Sequence, residues 1–304
     1  MRAVLAIAGL ALALAACGDP YHRKDGAWWF RSERMDVPRG ESLTALNGQF
    51  ARSRTLAFYQ SNRIIGADVP SFQALGDHYA KDRRAVWFCA THRDSQDYFT
   101  TKRVEIAEVE GAHAASFHAL TDDEYGRDDA HVFYRGKVLP VKDPASFTLL
   151  EPGFAHDRVT GYYARVPVAG SDGPSFAVLG EGYSRDKAQV FFSHMDHTQA
   201  GPGRAISLPV RGAQLASFQV LKQGYAADAA RAYHDGKPMA GSPAGLQVLD
   251  FGYAKTAERV FYYGQPVLGA DPASFHILDP VTETATAADK AATYQDLKRT
   301  PLGK

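Results

Sequence analysis

The chain has 304 residues with 34 basic and 34 acidic side chains, so it carries no global positive field for nucleic acid, and none is expected as a partner. Its 45% apolar and 12% aromatic content excludes a disordered chain. Two cysteines, Cys17 and Cys89, exclude a disulfide framework.

The first element is a targeting segment. Met1-Arg2 is a short positive start, and residues 3–14 are apolar but too few to span a bilayer as a helix. They run into Leu14-Ala15-Ala16-Cys17, which resembles a bacterial lipobox. On this reading residues 1–16 are a lipoprotein signal peptide, Cys17 is the lipidation site, and residues 17–20 link the acylated (palmitate-type) terminus to the folded part. Two or more acyl chains hold a protein stably on a membrane, each buried methylene adding about 0.8 kcal/mol. The membrane, through this anchor, is the first expected partner. Gly18 rather than Asp after the cysteine favours the outer over the inner membrane, with the chain facing the periplasm. The competing reading is an ordinary secretory signal with an incidental cysteine.

From Tyr21 onward the chain repeats. "DPASF" stands at residues 143–147 and again at 271–275, with relatives "DVPSF" (68–72), "HAASF" (113–117), "DGPSF" (172–176) and "QLASF" (214–218). Ser242-Pro243-Ala244-Gly245-Leu246 is a weaker copy and Ser42-Leu43 a degenerate one. A leucine follows three residues after the apolar position in every copy. The copies are 28 to 30 residues apart, except for gaps of 45 before Phe117 and 42 before Phe218. Such a period marks a repeat architecture. Asp-Pro at the head of the motif predicts a helix N-cap followed by proline at the first helical position, where its missing N–H costs nothing. Phe and Leu are expected to point into the core.

The second half of each unit runs through "YAKDRRAVWF" (79–88), "YGRDDAHVFY" (125–134), "FAHDRVTGYY" (154–163), "YSRDKAQVFF" (183–192), "YAADAARAYH" (225–234) and "YAKTAERVFY" (253–262). "FARSRTLAFY" (50–59) belongs too, and "YHRKDGAWWF" (21–30) is a looser first member. The aspartates Asp82, Asp128, Asp157, Asp186 and Asp228 invite a reading as a row of metal or catalytic carboxylates. However, Ser53 and Thr256 take the same place. The three residue types share the ability to accept backbone hydrogen bonds in a turn, not charge or metal affinity, so turn capping is preferred. Val-aromatic-aromatic predicts a strand, and Arg135-Gly136, Asp235-Gly236 and Tyr263-Gly264 predict tight hairpin turns, with Ser61-Asn62 filling the same place.

These residues carry a resemblance. Asp186-Lys187-Ala188-Gln189-Val190-Phe191-Phe192 is similar to the signature of the DKNYY family of bacterial repeat proteins, and the pattern covers nearly the whole chain after the leader, although the family's asparagine is absent. The resemblance implies a repeat protein. It brings no activity, cofactor or binding residue to carry over.

The expected fold is therefore mainly β: a tandem array of about eight units of about 29 residues over 21–279, each with about three short strands and one helical turn. An open stacked array is favoured over a closed, propeller-like ring. The tail, 280–304, is expected as a short helix or an irregular segment.

Function is expected where the repeat is interrupted. Both extra segments, 89–103 and 193–205, fall after the Val-aromatic run, and insertions at one structural position emerge on one face. His92, Arg93, Asp94, Tyr98 and Phe99 in the first, with His194 and His197 in the second, are the candidate interaction residues. His194, Asp196 and His197 are also a conceivable metal trio, but a solvated loop is the preferred reading. Cys89 is read as a small buried hydrophobe rather than a reactive thiol. No nucleophile elbow, phosphate loop or His-Glu-x-x-His occurs, so no cofactor is expected. The expectation is a non-enzymatic envelope scaffold for a protein or peptidoglycan partner. Its alternative is an enzyme or metal-dependent binder with a site formed by the two insertions.

Overall fold

In the computed structural model, residues 19–93, 102–122, 124–151, 153–198, 201 and 203–302 are described. Nine antiparallel sheets succeed one another along them, eight four-stranded and the first three-stranded. We number the sheets 1 to 9: residues 21–34, 44–64, 73–108, 118–138, 148–167, 177–209, 219–238, 247–266 and 276–301. Two compact units divide them, residues 1–139 with sheets 1–4 and residues 140–304 with sheets 5–9. None of the described helices is long and apolar enough to cross a membrane.

Each sheet is a meander in sequence order, and all but the first have four strands where about three were expected. The extra strand is the residue pair after the phenylalanine of DPASF. Thr148–Leu149, for example, pairs Thr148 with His156 and Leu149 with Ala155. Two residues are too few to show alternation, which hides such a strand in the sequence. The remaining strands behave as their residues dictate. In sheet 7, Tyr225 lies opposite His234 and Ala226 opposite Tyr233. Period-two alternation sends Tyr225 toward sheet 8 and Ala226 with Tyr233 toward sheet 6.

The core therefore lies between consecutive sheets within each unit. Phe50, Tyr59, Phe72, Ala80 and Trp87 fill the space between sheets 2 and 3, and Tyr253, Val260, Phe275, Ala287 and Tyr294 that between sheets 8 and 9. A 29-residue meander has two faces to cover and can cover neither alone, so neighbours stack. The motif residues Phe72, Phe117, Phe176, Phe218 and Phe275 bridge them. Phe218 contacts Tyr183 of sheet 6 and Tyr233 of sheet 7, both with ring centroids at 5.5 Å. Phe275 does the same with Tyr253 at 5.3 Å and Tyr294 at 5.2 Å. Tilted rings at these separations add about 0.5–1.5 kcal/mol each beyond burial.

Hydroxyls pin the same interfaces. Tyr183 Oη donates to the carbonyl of Gly224 at 3.0 Å and accepts from Gly236 N at 2.9 Å. Tyr225 repeats this on Gly252 and Gly264, and Tyr79 on Glu124 and Gly136. The turn glycine is needed twice over. Gly236 has φ 70° after Asp235 at 47°, the left-handed pair of a tight hairpin, and a Cβ there would lie 2.5 Å from Phe192 Cβ. In sheet 2 the left-handed residue is Gln60 (φ 55°), not Asn62, which already belongs to the strand Asn62–Ile64.

The tail departs from expectation. Residues 276–301 form sheet 9, with strands His276–Thr282, Ala285–Ala288, Ala292–Gln295 and Lys298–Pro301. Asp289-Lys290-Ala291-Ala292-Thr293-Tyr294 is a further copy of the repeat. A longer first hairpin hides it: elsewhere the motif's first N–H reaches a carboxylate 14 or 15 residues on, but Asp271 N reaches Asp289 18 residues on.

Candidate functional site

The recurrent aspartate is the first site to test. Asp186 lies in a turn where Oδ1 accepts from Ala188 N at 2.7 Å and Gln189 N at 2.8 Å. Its Oδ2 accepts from Asp172 N, the head of the preceding DPASF-type motif, at 2.9 Å. Asp82, Asp128, Asp157, Asp228 and Asp289 repeat the arrangement, all buried. Tyrosine hydroxyls add a donor in three units, Tyr162, Tyr233 and Tyr294. Burial of Asp289 opposes its ionisation, but the Tyr294 hydroxyl and the N–H groups of Asp271, Ala291 and Ala292 outweigh it and hold its pKa at about 2. Carboxylates that are buried and already accept three or more hydrogen bonds offer little to a substrate. They cap turns.

The motif answers in kind. Its residues form 3-10 turns, Val69–Ser71, Pro144–Ser146, Gly173–Ser175 and Leu215–Ser217. Only Asp172 among their leading residues caps the backbone as expected, from Ser175 N; Asp68, Asp143 and Gln214 make no such bond. The serine does the work instead. Ser175 Oγ accepts from Lys187 N at 3.0 Å, and Ser71, Ser146, Ser217 and Ser274 accept from the equivalent amides. The aspartate is left to receive the serine hydroxyl, as in Asp172 from Ser175 and Asp143 from Ser146.

That aspartate also pairs with the residue after the turn aspartate. Asp68 meets Arg83 at 3.0 Å, Asp143 meets Arg158 at 3.2 Å, Asp172 meets Lys187 at 2.8 Å and Asp271 meets Lys290 at 3.1 Å. One copy is inverted. His113 takes the acid's place and Asp129 the base's, at 2.6 Å. The hydrogen bond that His113 donates to Asp129 raises the His113 pKa, and the histidine in turn lowers that of Asp129. His113, Asp128 and Asp129 form the one group of three metal-ligating side chains within 4.8 Å among the described residues. Asp128 is spent on three amides, those of His113, Ala130 and His131, so the group is an inverted ion pair on an ordinary turn.

Both insertions lengthen one hairpin, that between the third and fourth strands of their sheets. In sheet 3 the strands Val86–Arg93 and Lys102–Glu108 pair from Trp87–Glu108 out to Arg93–Lys102. Asp94, Tyr98 and Phe99 lie outside the described residues, as does Cys17. His92 Nε2 meets Glu105 Oε2 at 3.2 Å on the exposed ladder. Lys102 Nζ ties the ladder to Gln60 Oε1 of sheet 2 at 2.6 Å. Cys89 is fully buried in the core between sheets 2 and 3, and burial pushes its thiol pKa up, away from the reactive thiolate.

In sheet 6 the strands are Val190–Asp196 and Arg204–Pro209. His194 stacks on Phe192 with ring centroids 5.7 Å apart. Asp196 accepts from Thr198 N at 2.9 Å, and this bond lowers its pKa. His197 is exposed. The three are not gathered into a ligand group among the described residues.

The reading from sequence passes over one further place, a cavity of about 740 Å³ at sheet 1. Arg23, Arg34, Arg39 and Trp28 line it, with Asp25, Asp36 and Glu41. The interleaving of Arg23, Lys24, Trp28, Trp29, Arg31 and Arg34 was the available signal.

The DKNYY family model matches residues 154–298. That part of the chain belongs to the DKNYY family. The match runs through sheets 5–9, and it includes most of sheet 9, which agrees with Asp289 and Tyr294 carrying one more copy of the repeat. Sheets 3 and 4, before the DKNYY match, carry the same clasp of 3-10 or related turn, serine and buried aspartate. No curated protein and no solved structure matches the chain.

Proposed function

We propose that this DKNYY repeat chain is a non-enzymatic envelope lipoprotein, anchored through Cys17 with its fold facing the periplasm from the outer membrane. Its array serves as a scaffold that offers the two long hairpins to a protein or peptidoglycan partner. One observation carries the reading: the polar groups of the repeat are consumed in holding it together, whereas the ladders Thr91–Arg93 with Lys102–Val104 and His194–Asp196 with Arg204–Ile206 extend past the length the other sheets need. Side chains on a rigid two-stranded extension suit recognition, because the scaffold has already met the ordering cost.

Replacing each insertion by an Asn-Gly turn tests this. The expected result is a folded protein that no longer crosslinks its envelope partner in intact cells. Retention of the partner by the doubly shortened chain overturns the reading. Cys17→Ser should abolish incorporation of labelled palmitate and release the protein from membrane fractions.

A further inference from the structure

The cavity at sheet 1 collects basic side chains. Several arginines elsewhere are occupied: Arg52 donates to the carbonyls of Val69, Pro70 and Phe72, Arg63 pairs with Asp36, Arg83 with Asp68, and Arg158 with Asp143. Among the described residues, Arg23, Arg34 and Arg39 have no hydrogen-bond or ion-pair partner, yet all three line one concavity. Two of the acids beside them are already engaged. Asp36 holds Arg63, and Glu41 accepts from Thr55 Oγ1 and N and lies 3.6 Å from Arg54. Asp25 is the remaining carboxylate. The lining thus includes three arginines without a partner and one free acid.

One wall of the cavity is fixed. Trp28 Nε1 donates to the carbonyl of Glu41 at 3.2 Å, so the indole holds the loop of residues 36–41 that closes the cavity. Arg23 and Trp28 are direct cross-strand partners and so share a sheet face. A volume of about 740 Å³ is in the range of small-molecule sites.

We propose that this cavity binds a small phosphate ester. Guanidinium forks donate paired N–H groups, and three of them need an anion with at least three acceptor oxygens, which a phosphate has and a carboxylate lacks. Trp28 supplies an apolar surface for the ester's carbon part. The balanced overall charge disfavours an extended nucleic acid as the source of the phosphate. Two sources share the chemistry, a soluble phosphate ester and a phospholipid headgroup.

The test uses the full chain with Cys17→Ser, so that no acyl chain binds membranes. Glycerol phosphate is titrated while indole fluorescence and heat are read, and flotation is measured with phosphatidic acid against phosphatidylcholine vesicles. Binding in either arm supports the proposal, and the arm that responds identifies the source. Replacing Arg23, Arg34 and Arg39 by Gln should weaken it by about tenfold or more, since each lost charge-assisted bond is worth about that factor. Replacing Arg84, Arg185 and Arg211, which lie outside the cavity, should leave it unchanged. Should the cavity triple fail to fold, Arg39→Gln alone in the loop is read in its place. No response in either arm, or equal losses from both triples, overturns the proposal.

Discussion

The turns at Asp157 and Thr256 occupy the same place in sheets 5 and 8 but carry unequal loads. Asp157 accepts from Val159 N and Thr160 N with one oxygen, and from Lys142 N, Asp143 N and the Tyr162 hydroxyl with the other. Thr256 accepts only the near pair, Glu258 N and Arg259 N, at 3.3 and 3.2 Å. No N–H of the segment before it, Ser242-Pro243-Ala244-Gly245, donates to Thr256. A carboxylate is used where two segments must be clasped, and a hydroxyl suffices where one turn must close. The difference shows that charge at this position answers to a count of backbone donors.

Removing the larger load should have the larger effect. Asp157→Ala strands several buried donors at once and is expected to cost about 3–5 kcal/mol, against about 1 kcal/mol for Thr256→Ala. Urea denaturation of both variants, followed by amide exchange at Asp143 and Thr160, measures the contrast. Equal losses would show that the far oxygen contributes nothing.

Sheet 8 has a compensation in the Tyr225 hydroxyl, which spans Gly252 O and Gly264 N. Tyr225→Phe keeps the ring and loses both bonds, so a cost of about 1–2 kcal/mol is expected. In a background of Thr256→Ala the two losses should exceed their sum if the pin and the turn support one another, which a double-mutant cycle reads directly.

The smallest effect concerns the inverted pair. His113 has its folded-state pKa raised, so its contribution is full below the unfolded value of about 6.5 and disappears as pH rises through the folded one. Asp129 is lowered, so its contribution is present above about 3.9 and is lost as pH falls. In the Asp172–Lys187 pair the base is a lysine with a raised pKa, so that pair persists across the same neutral range. Raising pH from about 6 to about 9 should loosen the turn at Asp129 and leave that at Lys187 unchanged, as seen by amide exchange. His113→Asp with Asp129→Lys should remove the difference.

Much of the fold was legible because the same physical demands recur. Proline at the head of a short turn, phenylalanine for the inter-sheet core and aspartate or its hydroxyl substitutes for a turn each left a readable trace. The N-cap role of Asp68 and Asp143 was misjudged, since it is Ser71 and Ser146 that receive the backbone amide 12 residues on. Sheet 9 escaped notice because a longer hairpin shifted its aspartate out of period. The candidate hairpins were legible as interruptions of the spacing, but their candidate residues were not brought together as a metal site.

The sequence by itself determined the repeat, its period, the position of the turns and the place of the insertions, since these follow from local backbone demands and alternation along a strand. Only the tertiary structure decided which groups are spent and which are free. The clasp of Asp172 N on Asp186 and of Lys187 N on Ser175, and the pin from Tyr183 to sheet 7, join residues far apart in the chain, and such bonds have no local signature. The same holds for Arg23, Arg34 and Arg39: their significance lies in partners they lack, and only packing reveals an absence of partners.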